Sequence, residues 1–181
     1  MRDVCATLVV DTARGSPTRA SITPPTYLVF EGRHRGHPAP GPPTSDWIYL
    51  GSALELAARY ALQRRQFGRA IADQEMIQGM LAEMATGVEA ARLLTWRAAR
   101  LRDAGQPINA PSSMAKWHAS DVAMRVTTDA VQIYGGAGYS RDNPVERLMR
   151  DAKGAQIYEG TNQIHRLIVA QHLLDGMRRE T

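Results

Sequence analysis

The sequence contains almost nothing from which disulfides, thiolate metal sites or membrane spans are built. Cys5 is the only cysteine among 181 residues, so a disulfide within the chain and a multi-thiolate metal site are excluded. No apolar run approaches the roughly 18 residues of a transmembrane helix, and the N-terminus lacks the apolar core of a secretory signal. We expect a protein without a membrane span that resides in the cytoplasm, or in the mitochondrial matrix if the source is eukaryotic.

Motifs for metal, serine-nucleophile and nucleotide chemistry are also scarce. Of the five histidines, only His34 and His37 lie close together, in a segment rich in glycine and proline that offers no evident third ligand. No metal site is therefore predicted. The sequence has neither a Gly-x-Ser-x-Gly elbow nor a Walker loop.

The basic charge balance does not indicate nucleic-acid binding. The formal net charge is +4 and the sequence pI is about 9.6. From residue 51 onward the arginines are interspersed with acidic residues. No basic run is interleaved with aromatic residues, the pattern typical of a nucleic-acid surface. Interspersed charges are typical of solvated helix faces, so no nucleic-acid partner is expected.

The composition divides the chain into residues 1–50 and 51–181. In the first part, the short runs at 7–10 and 27–30 are rich in β-formers and predict two short strands. The segment 36–43 contains four prolines and can continue neither a helix nor a central strand. We expect an irregular or partly disordered, Pro-rich N-terminal segment, whose two strands would pair and rest on the second part.

From Gly51 onward, strong helix formers dominate and apolar residues recur at helical spacing. Helices are predicted over about 52–65, with Ser52 as the N-cap, then to about 104, from about 111 to 134, over 145–152, and from about Thr161. The apolar stripes that predict their buried faces are Leu54, Ala57, Ala58, Ala61 and Leu62; Ile77, Leu81, Met84, Val88, Ala91, Thr95 and Ala98; Ala115, Ala119, Val122, Val126, Ala130 and Ile133; and Ile164, Leu167, Ile168 and Leu174. Short connections between such helices favour an up-and-down bundle.

Three stretches of this second part form an unusual combination. They are 60–68 (YALQRRQFG), 129–139 (DAVQIYGGAGY), and 144–152 (PVERLMRDA) continuing to 157–164 (IYEGTNQI). Each is weak alone, since a glycine-rich segment after a helix is usually only a helix stop. Their order and separation carry the information.

Together these stretches resemble the C-terminal domain of the acyl-CoA dehydrogenases. The resemblance covers roughly 51–174 and includes the connecting helices. In that family the domain is a four-helix bundle, in agreement with the periodicity of the sequence. The fold class it implies is all-α, an up-and-down four-helix bundle preceded by the irregular Pro-rich segment with its two candidate strands.

The resemblance implies flavin-dependent α,β-dehydrogenation of an acyl-CoA thioester to a trans-2-enoyl-CoA. This reaction removes a proton from the α carbon and a hydride from the β carbon, so a base must lie beside the cofactor. The matching position is Glu159, whose carboxylate suits the task once an apolar acyl channel raises its pKa. Its backbone N–H also polarises the thioester carbonyl in the family. The competing interpretation is an ordinary acid leading the last helix.

The implied cofactor is FAD, whose pyrophosphate needs cations and backbone donors. Arg64 matches the family arginine that reaches the pyrophosphate, commonly the pyrophosphate of a flavin in a neighbouring subunit. The adjacent Arg65 is the alternative for this position. The resemblance also implies a polar contact at Gln66, two residues after Arg64. It further implies adenosine-side contacts at Gln132 and Gly136, and flavin contacts at Thr161 and Gln163. The implied partners are an acyl-CoA substrate, an electron-transferring flavoprotein as electron acceptor, and further copies of the chain or a complementing subunit; acyl-CoA oxidases share this fold.

The resemblance is incomplete in three respects. The N-terminal helical domain and middle β domain of the family are not matched in full, although residues 8–15 could be a remnant of the middle domain. The first helix of the bundle starts late, so the half of it where the family carries an Asp and an Arg for the CoA moiety corresponds to the Pro-rich stretch of this chain. The family usually has a glutamine at the position of Glu75, and Gln74 is one residue out of register. The alternative hypothesis is therefore a truncated, non-catalytic helical oligomerisation module.

Overall fold

The computed structural model describes residues 6–9, 29–32 and 50–180. In chain order, the elements are the strands β1 (Ala6–Val9) and β2 (Val29–Gly32), helix α1 (Leu50–Gln63), the two-residue strands β3 (Arg65–Gln66) and β4 (Arg69–Ala70), a 3₁₀ turn (Ile71–Asp73), and the helices α2 (Glu75–Asp103), α3 (Asn109–Tyr134), α4 (Gly136–Tyr139), α5 (Pro144–Ala155) and α6 (Asn162–Glu180). No helix among the described residues is long and apolar enough to cross a membrane.

Helix α3 is the centre of the fold, because α1, α2, α5 and α6 all pack on it. Its predicted stripe is buried in full, from Ala115 to Ile133. The α2 stripe is confirmed as well: Met84, Val88 and Ala91 are buried, while Ile77 and Leu81 pack at the margin of the same core. The all-α fold class predicted from the sequence is confirmed.

The core is built mainly from alanine, valine and a few larger side chains. Small residues let helix backbones approach closely, and Gly87 on α2 shows how closely: a Cβ at this position would lie 3.1 Å from Cγ1 of Val122 on α3. Close-packed interiors transmit such constraints to their neighbours. Helix α2 ends at Asp103, just before Gly105 (φ +67°), where the sequence predicts a helix end.

Three local predictions are wrong. Helix α1 begins at Leu50, so Ser52 lies inside the first turn and is not the N-cap. Leu62, predicted on the buried face of α1, is 70% exposed, whereas Ala57 and Ala61 of the same predicted stripe are buried, together with Ala53. Helix α3 begins two residues earlier than predicted.

The last helix departs most from its predicted pattern. On α6 only Asn162 and His165 are buried, while Ile164, Leu167 and Leu174 of the predicted stripe are exposed. Its apolar residues therefore lie largely outside the core of this chain. The N-terminal part of α6 is attached to α3 by polar contacts rather than by an apolar seam.

The strands β1 and β2 pair antiparallel, with Ala6 opposite Gly32 and Val9 opposite Val29. They overlap the predicted runs at 7–10 and 27–30, of which Val10, Tyr27 and Leu28 lie outside the described residues, as does the Pro-rich segment. A second, minimal hairpin joins α1 to the 3₁₀ turn. Its two-residue loop, Phe67 (φ +53°) and Gly68 (φ +80°), has the positive φ angles that tight hairpin turns need.

Candidate functional site

The loop between α5 and α6 carries Glu159 in a constrained backbone conformation. Glu159 has φ +54° and Gly160 has φ +92°; a non-glycine residue in this region costs about 1–3 kcal/mol and persists only where its surroundings enforce it. The loop is closed by the Asn162 N–H, which donates to the carbonyl of Gln156 at 3.1 Å. The Glu159 side chain is half-buried, and its Oε2 atom is enclosed by the protein.

Lys116 of α3 lies beneath this loop. The side chain is 1% exposed, and Nζ donates to the carbonyl of Gly160 and to Oδ1 of Asn162, both at 2.8 Å. Burial lowers the pKa of Lys116 to about 8, against the opposing charges of Glu159 and Asp121. A buried ammonium group therefore lies next to the Glu159 carboxylate.

His165 fixes the same loop from the first turn of α6. Its Nε2–H donates to the carbonyl of Glu159 at 3.2 Å, and the ring lies so close to Gly160 that a Cβ there would come within 3.1 Å of Nε2. Burial and the neighbouring charge of Lys116 lower the pKa of His165. The neutral imidazole is therefore the favoured form near neutral pH, with the proton on Nε2.

A second layer of polar contacts, centred on Asp121 of α3, ties the loop and α6 to the bundle. Oδ1 accepts hydrogen bonds from Asn162 at 2.8 Å and Gln156 at 2.7 Å. Oδ2 accepts from Trp117 at 2.7 Å and Arg166 at 3.0 Å. The Arg166 guanidinium also lies over the Trp117 ring, 4.8 Å from its centroid.

We expect Asp121→Asn to reduce the loss of stability in acid. Burial raises the pKa of Asp121, but the hydrogen bonds from Asn162, Trp117 and Gln156, with the charge of Arg166, outweigh it and hold the pKa below 3.8. A carboxyl with a depressed pKa in the folded state stabilises the protein above its unfolded pKa, and this contribution is lost as pH falls through the folded value.

The measurement is the Tm at pH 7 and at pH 2.5 for the wild type, for Asp121→Asn, and for Asp103→Asn, an exposed aspartate, as the control. The Tm difference between the two pH values is expected to shrink in Asp121→Asn and to stay at the wild-type value in Asp103→Asn. Equal differences in all three proteins would mean that Asp121 contributes nothing to acid sensitivity.

A different part of the structure brings together four of the other predicted site residues. Tyr60, near the end of α1, stacks on Tyr134, the last residue of α3, with ring centroids 4.0 Å apart. This contact places Arg64 and Gln66 at the same end of the bundle as Gln132 and Gly136. All four are exposed, and the space around Gly136 is open, since a Cβ there would meet nothing within 4 Å.

The matches to known proteins cover this helical part. The family model described as "Acyl-CoA dehydrogenase, C-terminal domain" matches residues 46–174. The chain belongs to the acyl-CoA dehydrogenase family. An acyl-CoA dehydrogenase of Bacillus subtilis (strain 168) is 57% identical over 125 residues, which are 69% of this chain and 33% of that protein.

Solved structures agree with this family assignment. Butyryl-CoA dehydrogenase from Megasphaera elsdenii superposes with a TM-score of 0.68 at 48% identity, over 69% of this chain and 33% of that one. The FAD complex of PigA superposes with the same score at 32% identity, over 71% of this chain and 33% of that one. The chain thus spans about a third of the length of the relatives it matches.

The structure places the predicted site residues in two separate groups. Glu159, Thr161 and Gln163 lie at the loop and the start of α6, where the Thr161 carbonyl accepts the first helical hydrogen bonds, from the N–H groups of Ile164 and His165. The second group, called the Arg64 group, consists of Arg64, Gln66, Gln132 and Gly136 and lies at the other end of α3. Lys116 and Gln132 are 16 residues apart on that helix, which is roughly 24 Å along its axis, so the two groups do not line one pocket within a single chain.

The residues that hold the Glu159 loop were missed by the sequence analysis. Lys116, Ser120 and Asp121 interrupt the apolar pattern of α3, and Ser120 Oγ donates to Oδ1 of Asn162 at 2.9 Å. Polar residues at buried helix positions are a usable signal, because a buried polar group needs a partner. The partner itself, Asn162, follows directly after Thr161 in the stretch 157–164. No cluster of metal-ligating side chains occurs among the residues that the structure describes.

Proposed function

We propose that this chain supplies the catalytic base of an acyl-CoA dehydrogenase, and that Glu159 removes the α proton of an acyl-CoA thioester as it becomes a trans-2-enoyl-CoA. The observation that carries the proposal is the loop. A strained, half-buried Glu159 is held from below by Lys116 and His165, within a region that matches the family. Strained backbone of this kind is concentrated at functional sites.

The arrangement suits proton abstraction in two ways. The loop conformation fixes the carboxylate, so that a thioester bound against the bundle would meet the base in a defined position. The backbone N–H of Glu159 lies in the same turn and would donate to the thioester carbonyl, where negative charge develops as the α proton leaves.

The residues present fit FAD as the cofactor. Arg64 offers an exposed guanidinium, Gln66 and Gln132 offer exposed amides, and Gly136 leaves open space for a close approach of the ligand. A bound FAD would supply the acceptor for the hydride that leaves the β carbon. Gln132 lies roughly 24 Å along α3 from Lys116, which contacts the Glu159 loop. We therefore infer that each group contacts a different flavin, one through Thr161 and Gln163 and another, held by a neighbouring subunit, through Arg64.

The exposed apolar residues support the proposal that other subunits or domains cover this bundle. On α6, Leu167, Leu173, Leu174 and Met177 are all at least half exposed, and contiguous apolar surface of this kind marks interaction sites. We propose a homo-oligomer or a complementing subunit, with an electron-transferring flavoprotein as electron acceptor. The cytoplasm, or the mitochondrial matrix, is the proposed location. The same surface favours the second candidate function, a helical oligomerisation module without catalysis.

Flavin binding separates the two candidates. We expect a fusion of the part of the Bacillus subtilis relative that precedes its matched third, followed by residues 50–181 of this chain, to purify yellow and to oxidise acyl-CoA with an artificial electron acceptor. The control is the same fusion with the relative's own C-terminal third. A folded, oligomeric fusion that binds no flavin, beside an active control, would support the oligomerisation module and contradict the proposal.

A further inference from the structure

Lys116 is the feature of this structure that the proposed function leaves unexplained. It is one of only two lysines in the sequence, among 20 arginines. The other, Lys153, is exposed on α5 and donates to Gln156 at 2.9 Å. Lysine is among the residues least often fully buried, yet Lys116 is almost inaccessible and lies beneath the 159–160 loop.

We propose that Lys116 is a positioning residue for Glu159, holding the backbone of the 159–160 loop through the Gly160 carbonyl and presenting a positive charge to the Glu159 carboxylate. The proposal rests on the proposed function in so far as Glu159 is the base. The geometry stands by itself: the two 2.8 Å hydrogen bonds from Nζ reach the loop and the first residue of α6, so one side chain ties both to α3.

Packing alone does not account for a charged side chain here. Replacing a buried ion pair by apolar side chains of similar volume is often neutral or stabilising, and methionine would fill the same space. A buried ammonium group must instead be compensated, and the compensation comes from the Gly160 carbonyl, the Asn162 side chain and the nearby carboxylates. A lysine is therefore explained here by its positive charge beside the Glu159 carboxylate and by the hydrogen bonds that its ammonium group donates to the loop and to Asn162.

The charged groups around Lys116 come from α3, the loop and α6. The carboxylates of Glu159 and Asp121 raise its pKa against the effect of burial. His165 faces it from α6, and the Lys116 charge lowers the histidine's pKa. Coupling between two ionisable groups is reciprocal, so an effect of Glu159 on Lys116 is also an effect of Lys116 on Glu159.

The first test measures this coupling in the 181-residue chain. Lysine labelled with ¹³C at Cε gives two signals, and Lys153→Met assigns them by removing one. We expect the Lys116 signal to titrate near pH 8. In Glu159→Gln its pKa should fall further, whereas Glu89→Gln, a change at an exposed position of α2, should leave it unchanged. An unchanged Lys116 pKa in Glu159→Gln would overturn the proposal.

The second test measures the loop directly. In Lys116→Met we expect the Asn162 amide, which closes the loop on the Gln156 carbonyl, to exchange its hydrogen at least about ten times faster than in Lys153→Met. Protected amides of α2 should exchange at the wild-type rate in both variants. Wild-type exchange at Asn162 in a folded Lys116→Met protein would show that Lys116 does not hold the loop.

Neither test needs flavin or substrate, so the proposal and the proposed function can fail separately. If Lys116→Met unfolds, as circular dichroism would show, the Glu159→Gln titration still decides, because it leaves Lys116 in place. If Glu159→Gln retains turnover in the flavin-loaded fusion, the base lies elsewhere, while a shifted Lys116 pKa would still establish the electrostatic coupling.

Discussion

Glu159→Gln in the flavin-loaded fusion is expected to lower kcat by about two to four orders of magnitude, the usual cost of removing a general base. Glutamine keeps the size of the side chain and can still form hydrogen bonds. The loop is held through the carbonyls of residues 159 and 160, which the substitution leaves in place, so it should keep its conformation. The amide cannot accept the α proton. Flavin content should stay at the wild-type level.

The measurement is the steady-state rate with an acyl-CoA and an artificial electron acceptor, with the flavin content of each sample determined from its absorbance. Glu89→Gln, on the exposed face of α2, is the matched control and should retain full activity. Near-normal turnover in Glu159→Gln with full flavin content would assign the base to another residue and refute the central proposal.

The helices of the bundle were predictable because their burial follows a simple period. On α3 the stripe from Ala115 to Ile133 recurs every three or four residues and is buried in full. Leu62 shows where the rule fails. It continues the α1 stripe by spacing, but α1 ends at Gln63 and the chain turns into the β3–β4 hairpin, so no helix within 50–180 covers it.

The α6 pattern fails for a different reason. A periodic apolar stripe predicts that a face is covered, but not which part of a protein covers it. Leu167 and Leu174 are exposed because the described residues of this chain provide no partner for them. The matched residues make up only 33% of the Bacillus subtilis relative. We propose that domains corresponding to the rest of that relative, or another subunit, cover this face of α6.

For the candidate site, the sequence predicts individual residues but not their arrangement in space. The stretch 157–164 identifies Glu159. Its backbone conformation and its proximity to Lys116, 43 residues earlier in the sequence, depend on how α3 and α6 pack together. Likewise, the spacing of Arg64 and Glu159 in the sequence does not show how far apart they lie within one chain. That separation follows from the direction of α3 and from the Tyr60–Tyr134 stack.

Arg64→Ala is expected to weaken FAD binding by about ten- to a hundredfold, because a charge-assisted hydrogen bond contributes about 1.5–3 kcal/mol and each 1.4 kcal/mol is a factor of ten in affinity. The structure favours Arg64 over its neighbour for this role. The Arg65 guanidinium donates to the Gly68 carbonyl at 3.0 Å and holds the hairpin. For the Arg64 side chain, the structure gives no hydrogen bond or ion pair within 50–180, so its charge is available to a ligand.

The backbone of Arg64 is fixed on both sides, and this makes the substitution informative. Its N–H donates to the Tyr60 carbonyl and its own carbonyl accepts from the Ile71 N–H, both at 2.8 Å, so alanine should preserve the local fold. FAD titration of the flavin-free fusion gives the dissociation constants of Arg64→Ala and Arg65→Ala. The chemical step should be impaired only in proportion to the missing flavin, since Arg64 lies far from Glu159. A larger loss in Arg65→Ala, with Arg64→Ala binding FAD as the wild type does, would transfer the pyrophosphate contact to Arg65.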